Sequence, residues 1–170
     1  MDFIIRRAEP AEYETLGAIT AEAYLGDGLL DFGEDDEYLH TLRDVAARVE
    51  DAEVLVAVEA QGRVLGGVTF VVSGGPWADI AREGEAEFRM LAVAREGRGK
   101  GAGEALVRAC VDRALVTDGC VRLVLSTQPS MHTAHRIYER LGFVRTPERD
   151  WEPVPGLALL TYALELRPTP

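Results

Sequence analysis

The residues best suited to chemistry form a glycine-rich turn, Arg98-Gly99-Lys100-Gly101-Ala102-Gly103, between a predicted strand and a predicted helix. The first N–H groups of a helix have no intrahelical partner, and the helix dipole adds partial positive charge there. Glycines let a bulky anion approach the backbone closely. Taken alone, these features fit a phosphate site and a flexible surface turn equally well.

Two common nucleotide motifs fit this turn poorly. A P-loop requires Ser or Thr after the lysine and a glycine six residues before it, whereas this chain has Gly101 and Ala94. A relaxed dinucleotide fingerprint matches at Gly97, Gly99 and Ala102, but the next predicted strand ends in Ser126 instead of an acidic residue. A dinucleotide-binding oxidoreductase is therefore a disfavoured alternative.

A carboxylate interrupts the apolar strand that leads to the turn. Burial of Glu87 would raise its pKa, which suits a general base near neutral pH. An ion pair of Glu87 with Arg89, or with a residue of another strand, explains the same carboxylate equally well. His132 and His135 could share a helix face, but no third metal ligand is evident, so capping or solvent-facing roles are favoured.

Hydrophobic periodicity predicts the elements that position these residues. Helices are expected over 11–24, 36–49, 102–116 and 131–141, and strands over 3–7, 54–59, 64–72, 86–93, 121–126, 143–145 and 157–166. Strands alternate with helices in the middle of the chain and cluster at both ends. The fold class is therefore mixed α/β.

Composition limits the classes of partner and compartment. The 170 residues fit one domain, and a net charge of −11 argues against nucleic acid or an anionic membrane as a partner. No apolar run approaches the roughly 18 residues of a membrane span. The N-terminus lacks a signal-peptide pattern, and two cysteines are too few for a disulfide framework, so a cytoplasmic location is expected.

Two motifs resemble those of the GNAT (Gcn5-related N-acetyltransferase) superfamily. The turn at 98–103 matches (Arg/Gln)-x-x-Gly-x-(Gly/Ala). The segment 131–143 matches Asn-x-x-Ala-x-x-x-Tyr-x-x-x-Gly-Phe at Ala134, Tyr138, Gly142 and Phe143, with Met131 in place of the asparagine. The order of predicted elements resembles the GNAT order over nearly the whole chain.

The resemblance implies a single GNAT domain over residues 1–170. Its fold would be α/β (α+β), a central mixed, mostly antiparallel twisted sheet of about six to seven strands with about four flanking helices. Its activity would be direct transfer of the acetyl group of acetyl-CoA to a primary amine, with acetyl-CoA as co-substrate and no metal. A non-catalytic acyl-CoA-binding sensor on the same fold is the alternative.

The resemblance also implies roles for individual residues. Those expected at the coenzyme are Leu91, Ala92, Val93, Arg98, Gly99, Lys100, Gly101, Ala102, Gly103 and Ala134. Tyr138 would protonate the departing thiolate, although its spacing alone favours a core tyrosine. Glu87 would be the general base, with ordered water as the alternative. The asparagine's role is not transferred to Met131.

The acceptor amine, whether a small molecule or a peptide or protein, is not identified by these patterns. The segment 27–37 carries six acids, which would attract a cationic amine or, alternatively, suit the start of a helix: Asp27, Asp31, Glu34, Asp35, Asp36 and Glu37. Tyr24, Trp77, Trp151 and the loop 152–156 are candidates for an acceptor pocket. The closing strand 157–166 could form the edge of a homodimer.

Overall fold

Seven strands and five α-helices occur in the computed structural model, which describes residues 2–26, 28–30 and 32–166. The strands are β1 Phe3–Arg7, β2 Glu53–Glu59, β3 Val64–Val72, β4 Glu85–Val93, β5 Arg122–Thr127, β6 Val144–Arg145 and β7 Leu160–Glu165. The helices are α1 Tyr13–Gly26, α2 Tyr38–Arg43, α3 Val45–Val49, α4 Ala102–Leu115 and α5 His132–Arg140.

All seven strands join one sheet in the order β1-β2-β3-β4-β5-β7-β6. Neighbouring strands are antiparallel except β4 and β5, which run parallel and pair from Glu85↔Arg122 to Phe88↔Leu125. The predicted mixed, mostly antiparallel sheet is therefore confirmed.

Helices cover the two faces of the sheet, and each face has its own core. On one face, α4 buries Leu106, Val107 and Cys110 completely against the sheet. On the other face, Leu16 of α1 and Val45 of α3 pack against β2. Burial of both faces explains why the inner strands read as nearly continuous apolar runs.

A β-bulge changes the direction of side chains in the middle of β4. The register between β3 and β4 shifts by one residue between Gly67 and Thr69, and Met90 opposite this shift has a φ of +58°. Phe88 packs in the core beneath α4, whereas Met90 packs with Ala21 of α1 on the opposite face. Strict alternation would have placed Met90 on the same face as Phe88.

Two predictions about elements are wrong. The helix expected over 36–49 is two helices, because Asp44 leaves the helical region (φ −88°, ψ 70°) and its Oδ1 accepts the N–H of Ala47 at 3.1 Å. The closing strand is not an edge strand, since β7 lies between β5 and β6. The number of α-helices is therefore five within the described residues.

Candidate active site

Strands β4 and β5 separate at their carboxyl ends, where a groove opens. Strand β4 has no β5 partner beyond Phe88, so its main chain over 91–93 is unpaired on that side within the described residues. This glycine-turn groove has a volume of about 770 Å³ and is lined by Leu91, Ala92, Val93, Gly97, Arg98, Gly99, Gly101, Ala102, Gly103, Glu104, Ala134 and other residues of α1 and α5. Most residues expected at the coenzyme thus lie together.

The glycine-rich turn adopts a conformation that only glycine accepts readily. Gly99 and Gly101 have φ values of +78° and +84°, and α4 begins immediately afterwards at Ala102. The unpaired N–H groups of the first helical turn therefore lie at the wall of the groove. The side chain of Lys100 forms an ion pair with Glu59 (Nζ–Oε1 3.2 Å) and does not line the groove.

Helix α5 adds basic side chains that sequence reasoning missed. Arg136 and Arg140 line the groove, and Arg140 donates through Nε to Glu104 at 2.9 Å. Residues four apart lie on one helix face, and this spacing of two arginines in the sequence could have indicated their position. An anion in the groove would meet the positive charge of Arg136 from this helix, whereas Arg140 is paired with Glu104, which also lines the groove.

A second cavity, here called the apolar pocket, lies on the other side of β4. It has a volume of about 320 Å³, and most of its wall is aliphatic or aromatic: Tyr24, Leu29, Leu30, Phe32, Tyr38, Met90, Met131, Trp151, Pro153, Val154, Leu157 and Leu159. Tyr24, Trp151 and the loop after it were expected in such a pocket. Trp77 does not line it.

Glu87 lies in the wall of the apolar pocket and is fully buried. Its Oε1 accepts three backbone N–H groups, those of Asp79, Ile80 and Ala81, at 2.9 to 3.1 Å. Its Oε2 has no hydrogen-bond partner in the described part of the chain. Burial raises the pKa of Glu87, although the three N–H groups favour the carboxylate.

The expected alternative, an ion pair of Glu87 with Arg89 or with a residue of another strand, does not form among the described residues. Arg89 instead pairs with Asp79 (Nη2–Oδ2 3.1 Å) and donates to the carbonyl of Trp77 and the hydroxyl of Tyr38, at 2.9 and 3.1 Å. Burial lowers the pKa of Arg89, but these neighbours outweigh it and the net shift is upward. The guanidinium is therefore a charged part of the wall.

Tyr138 is a buried member of the main core. Its ring centroid lies 5.7 to 5.9 Å from those of Phe88, Phe143 and Tyr162, and only 3 % of the residue is exposed. Its hydroxyl forms no hydrogen bond to any described residue. Burial raises the pKa of Tyr138, and Tyr24 adds to the rise, so the phenol keeps its proton at physiological pH.

The groove and the apolar pocket share three lining residues. Tyr24, Leu29 and Met131 contribute to the walls of both cavities. A molecule in the groove and a molecule in the pocket would therefore both contact these side chains. The thioether sulfur of Met131 also accepts a hydrogen bond from the hydroxyl of Thr127 (Oγ1–Sδ 3.5 Å).

The acidic segment before α2 only partly faces the pocket. Asp36 lines the pocket, but its carboxylate also accepts the N–H groups of Tyr38 and Phe32 at 3.0 and 3.3 Å, as the helix-start interpretation predicts. Glu34, Asp35 and Glu37 are exposed. Asp27 and Asp31 lie outside the described residues.

Of the two histidines in α5, His135 holds local structure. His135 Nε2 lies 3.2 Å from Thr127 Oγ1 and 3.1 Å from the carbonyl of Gln128, at the end of β5. His132 is exposed.

Across residues 2–26, 28–30 and 32–166, no group of three or more His, Cys, Asp or Glu is arranged to hold a metal ion. No helix in the same part of the chain is long and apolar enough to cross a membrane.

The sequence from residue 16 to residue 143 matches the model of the acetyltransferase (GNAT) family. The match covers well over half of the chain and includes the glycine-rich turn, β4 and all of α5. The protein therefore belongs to the GNAT family of acetyltransferases. None of the curated proteins matches the chain.

Solved structures share this fold at low sequence identity. YncA of Salmonella typhimurium, described as a putative acetyltransferase with its cofactor acetyl-CoA, is 24% identical over 98% of this chain and 95% of its own (TM-score 0.71). A phosphinothricin acetyltransferase of Sinorhizobium meliloti in complex with acetyl-CoA is 19% identical over 98% and 89% (TM-score 0.72). Spermidine N-acetyltransferase of Vibrio cholerae, with CoA and spermine, is 17% identical over 97% and 96% (TM-score 0.69).

Proposed function

We propose that this protein transfers the acetyl group of acetyl-CoA directly to a primary amine. The observation that carries the proposal is a pair of cavities that share the lining residues Tyr24, Leu29 and Met131, one beside a glycine-rich helix start and the other beside a buried carboxylate. A single domain over residues 1–170 is part of the proposal, since every described strand belongs to one sheet.

The coenzyme would lie in the glycine-turn groove. Its pyrophosphate would accept N–H groups from the turn at 98–103 and the first turn of α4. The pantetheine arm would run along the unpaired main chain of Leu91, Ala92 and Val93 and past Ala134. Lys100 would act through its backbone, because its side chain is held by Glu59.

The amine would attack the thioester carbonyl from the apolar pocket. Glu87 would accept the proton that the nitrogen loses as the new N–C bond forms. The tetrahedral intermediate would then release the thiolate of coenzyme A, and Tyr138 would protonate the sulfur. No covalent enzyme intermediate is required, because both substrates are present together.

The test combines ligand binding with turnover. Acetyl-CoA should raise the melting temperature of the protein and NAD should not, because only a ligand of the folded state stabilises it. An amine library with acetyl-CoA should then release free thiol. Stabilisation by acetyl-CoA without thiol release from any amine would favour an acyl-CoA-binding sensor, and stabilisation by NAD alone would overturn both interpretations.

The expected location is the cytoplasm. Cys110 and Cys120 are free thiols, which suits a reducing compartment, and acetyl-CoA would have to be present there. Fractionation of the cells that make the protein would test this part of the proposal.

A further inference from the structure

The two segments that form much of the wall of the apolar pocket contain no basic residue. Segment 28–38 carries five acids and no Lys, Arg or His, and segment 151–159 carries one acid and no basic residue. Asp36 lines the pocket, accepts two backbone N–H groups and forms no ion pair with a described residue. Because a carboxylate offers about four acceptor positions, Asp36 keeps capacity for a ligand.

The other charged groups of the wall do not compensate Asp36. Arg89 is neutralised by its ion pair with Asp79. Glu87 adds a further negative charge when it is ionised, from a fully buried position. With these four groups in the wall, its formal charge is −1 when Glu87 is protonated and −2 when Glu87 is ionised. In both states the pocket attracts a cation.

Four aromatic side chains line the same cavity, namely Tyr24, Phe32, Tyr38 and Trp151. The indole Nε1 of Trp151 donates to Ser126 Oγ at 3.0 Å. The hydroxyl of Tyr38 accepts from Arg89 at 3.1 Å. These two side chains are therefore held in place by the protein and offer a bound molecule mainly their rings. Aromatic rings attract a cation through their faces, even a cation that has no hydrogen bond to donate.

The negative charge of Asp36 is of little use to the nitrogen that reacts. An amine attacks a thioester through a free electron pair, so its ammonium form must first lose a proton. One carboxylate is enough to accept that proton, whereas further carboxylates nearby favour the ammonium form and slow the attack. The charge of Asp36 suits a different cation, one that stays charged throughout the reaction.

We infer that the acceptor carries a second cationic group besides its reactive primary amine, and that Asp36 and the aromatic side chains of the apolar pocket bind this second group. The volume of about 320 Å³ suits a small molecule, since ligand sites span roughly 300 to 1,000 Å³. The inference rests on the proposed function for the acetyl transfer. The preference for a second cation depends on the pocket alone.

Two pairs of amines with matched shapes test the inference. 4-(Trimethylammonio)butylamine and 5,5-dimethylhexylamine differ only at the branch point, which is a charged nitrogen in the first and a carbon in the second. 1,4-Diaminobutane and pentylamine differ in a terminal ammonium or methyl group. With acetyl-CoA and the full chain, kcat/KM measured by thiol release should be about 10-fold or more higher for the charged member of each pair.

Equal values within both pairs, or a preference for the neutral members, would overturn the inference. A preference for the quaternary cation would support it directly, because this cation has no N–H group to donate. A preference confined to 1,4-diaminobutane would indicate binding through N–H groups and would overturn the role of the aromatic side chains.

Asp36→Asn removes the charge and keeps one oxygen as an acceptor for the start of α2. The preference for the charged amines should fall by about 5-fold or more relative to the wild type. Asp35→Asn is the matched control, because Asp35 is exposed and does not line the pocket, and the preference should stay within about 2-fold. Melting temperatures would verify that both variants fold. Equal preferences in the two folded variants would contradict the assignment of the second cation to Asp36.

Phe32→Leu tests the aromatic part of the site. Phe32 is 74% exposed, so leucine should leave the fold intact while it removes the ring. The preference for the charged amines should fall by about 2- to 5-fold, as expected for a cation over an exposed ring. An unchanged preference would exclude this ring from the site of the second cation.

Binding separates this inference from the proposed function. Affinities of the same four amines would be measured by calorimetry with the protein saturated with coenzyme A. Tighter binding of the charged members without any acetyl transfer would support the pocket assignment and overturn the proposed activity. Acetyl transfer with a preference for the neutral members would overturn the pocket assignment alone, and neither binding nor transfer of any amine would overturn both.

Discussion

At the scale of single residues, Glu87 combines two tasks in one carboxylate. One oxygen organises the loop at 79–81 through three N–H groups, and the other oxygen is buried without a partner. These hydrogen bonds fix the position of the carboxylate beside the apolar pocket. A general base needs such fixed geometry before its pKa becomes relevant.

Glu87→Gln should lower kcat/KM by about 100-fold, because the amide cannot accept the amine proton. The raised pKa of Glu87 means that the carboxylate forms only as the pH rises through that value, so wild-type kcat/KM should fall below it. The variant should lack this ionisation in its pH–rate profile. An unchanged rate and profile would assign proton removal to ordered water.

Folding supplies a control for this variant. Since the pKa of Glu87 is raised in the folded state, ionisation destabilises the fold as the pH rises through that pKa. Glu87→Gln should therefore melt at the same temperature as the wild type or higher at neutral pH. A lower melting temperature would indicate that the lost activity reflects damage to the loop at 79–81.

Tyr138→Phe should retain acetyl-CoA affinity and lose about 100-fold in turnover, because the hydroxyl is the proposed donor to the thiolate. The fold should be little affected, since this hydroxyl has no hydrogen bond to a described residue. Tyr162→Phe changes a neighbouring ring of the same aromatic cluster and should leave turnover near the wild-type value. A kcat of Tyr138→Phe equal to that of the wild type would indicate that Tyr138 has only a structural role.

At the scale of elements, the glycine-rich turn and α4 form one anion-binding unit. Gly101 precedes the helix in the left-handed region, where other residues cost roughly 1–2 kcal/mol. That conformation directs the chain so that α4 begins at the groove. The turn therefore sets both the direction of the helix and the exposure of its N–H groups.

Gly101→Ala should weaken acetyl-CoA binding by about 10-fold, which corresponds to about 1.4 kcal/mol of lost preorganisation. Gly101→Asn should weaken it less, because asparagine tolerates positive φ. Gly74→Ala, at φ +85° in a distant loop, imposes a similar strain and should leave the affinity unchanged. Isothermal titration of the wild type and the three variants with acetyl-CoA would measure these differences. An affinity of Gly101→Ala equal to that of the wild type would exclude the turn from coenzyme binding.

Local patterns predicted most elements and part of the site. The residues at 91–93 and 98–103 are close in the chain, so motifs and turn chemistry placed most of them together. The break at Asp44 was missed, because apolar residues on both sides keep helical spacing. The role of Arg89 was also missed, because Asp79, Trp77 and Tyr38 come from distant segments that only the fold brings together.

At the scale of the whole molecule, a buried ion cluster joins the two halves of the sheet. Glu85 of β4 accepts from Arg122 of β5 and from Arg149 in the segment before β7, at 2.8 to 2.9 Å. The Glu85 side chain is 2% exposed and that of Arg149 is 9% exposed. The cluster lies at the parallel β4–β5 pair, whose far end opens into the groove.

Glu85→Gln should reduce the free energy of unfolding by about 3 kcal/mol, because it leaves the buried guanidinium of Arg149 without a carboxylate, whereas Arg122 keeps its ion pair with Glu165. Burial alone would raise the pKa of Glu85, but hydrogen bonds from Arg149, Arg122 and the backbone hold it at about 2. The stabilisation should therefore be complete above about pH 4.5 and disappear as the pH falls towards 2. Urea unfolding at several pH values would measure it.

Glu148→Gln provides the comparison for Glu85→Gln. Glu148 is exposed in the same short segment as Arg149, so its loss should change the stability by no more than about 0.5 kcal/mol. Similar losses in the two variants, or a loss in Glu85→Gln that is independent of pH, would contradict the assignment of stability to the buried cluster.

The bulge at Met90 lets a single strand serve both cavities. Before it, Glu87 and Arg89 line the apolar pocket, and after it, Leu91 and Val93 line the groove. The spacing between the proposed base and the proposed donor site is thus set inside the sheet. Much of the pocket wall comes instead from Leu29, Leu30, Phe32 and the loop at 151–159. Substitutions in these loops could therefore change the acceptor during evolution without moving the proposed reacting groups. Grafting the loops from another member of the family would be the corresponding route in engineering.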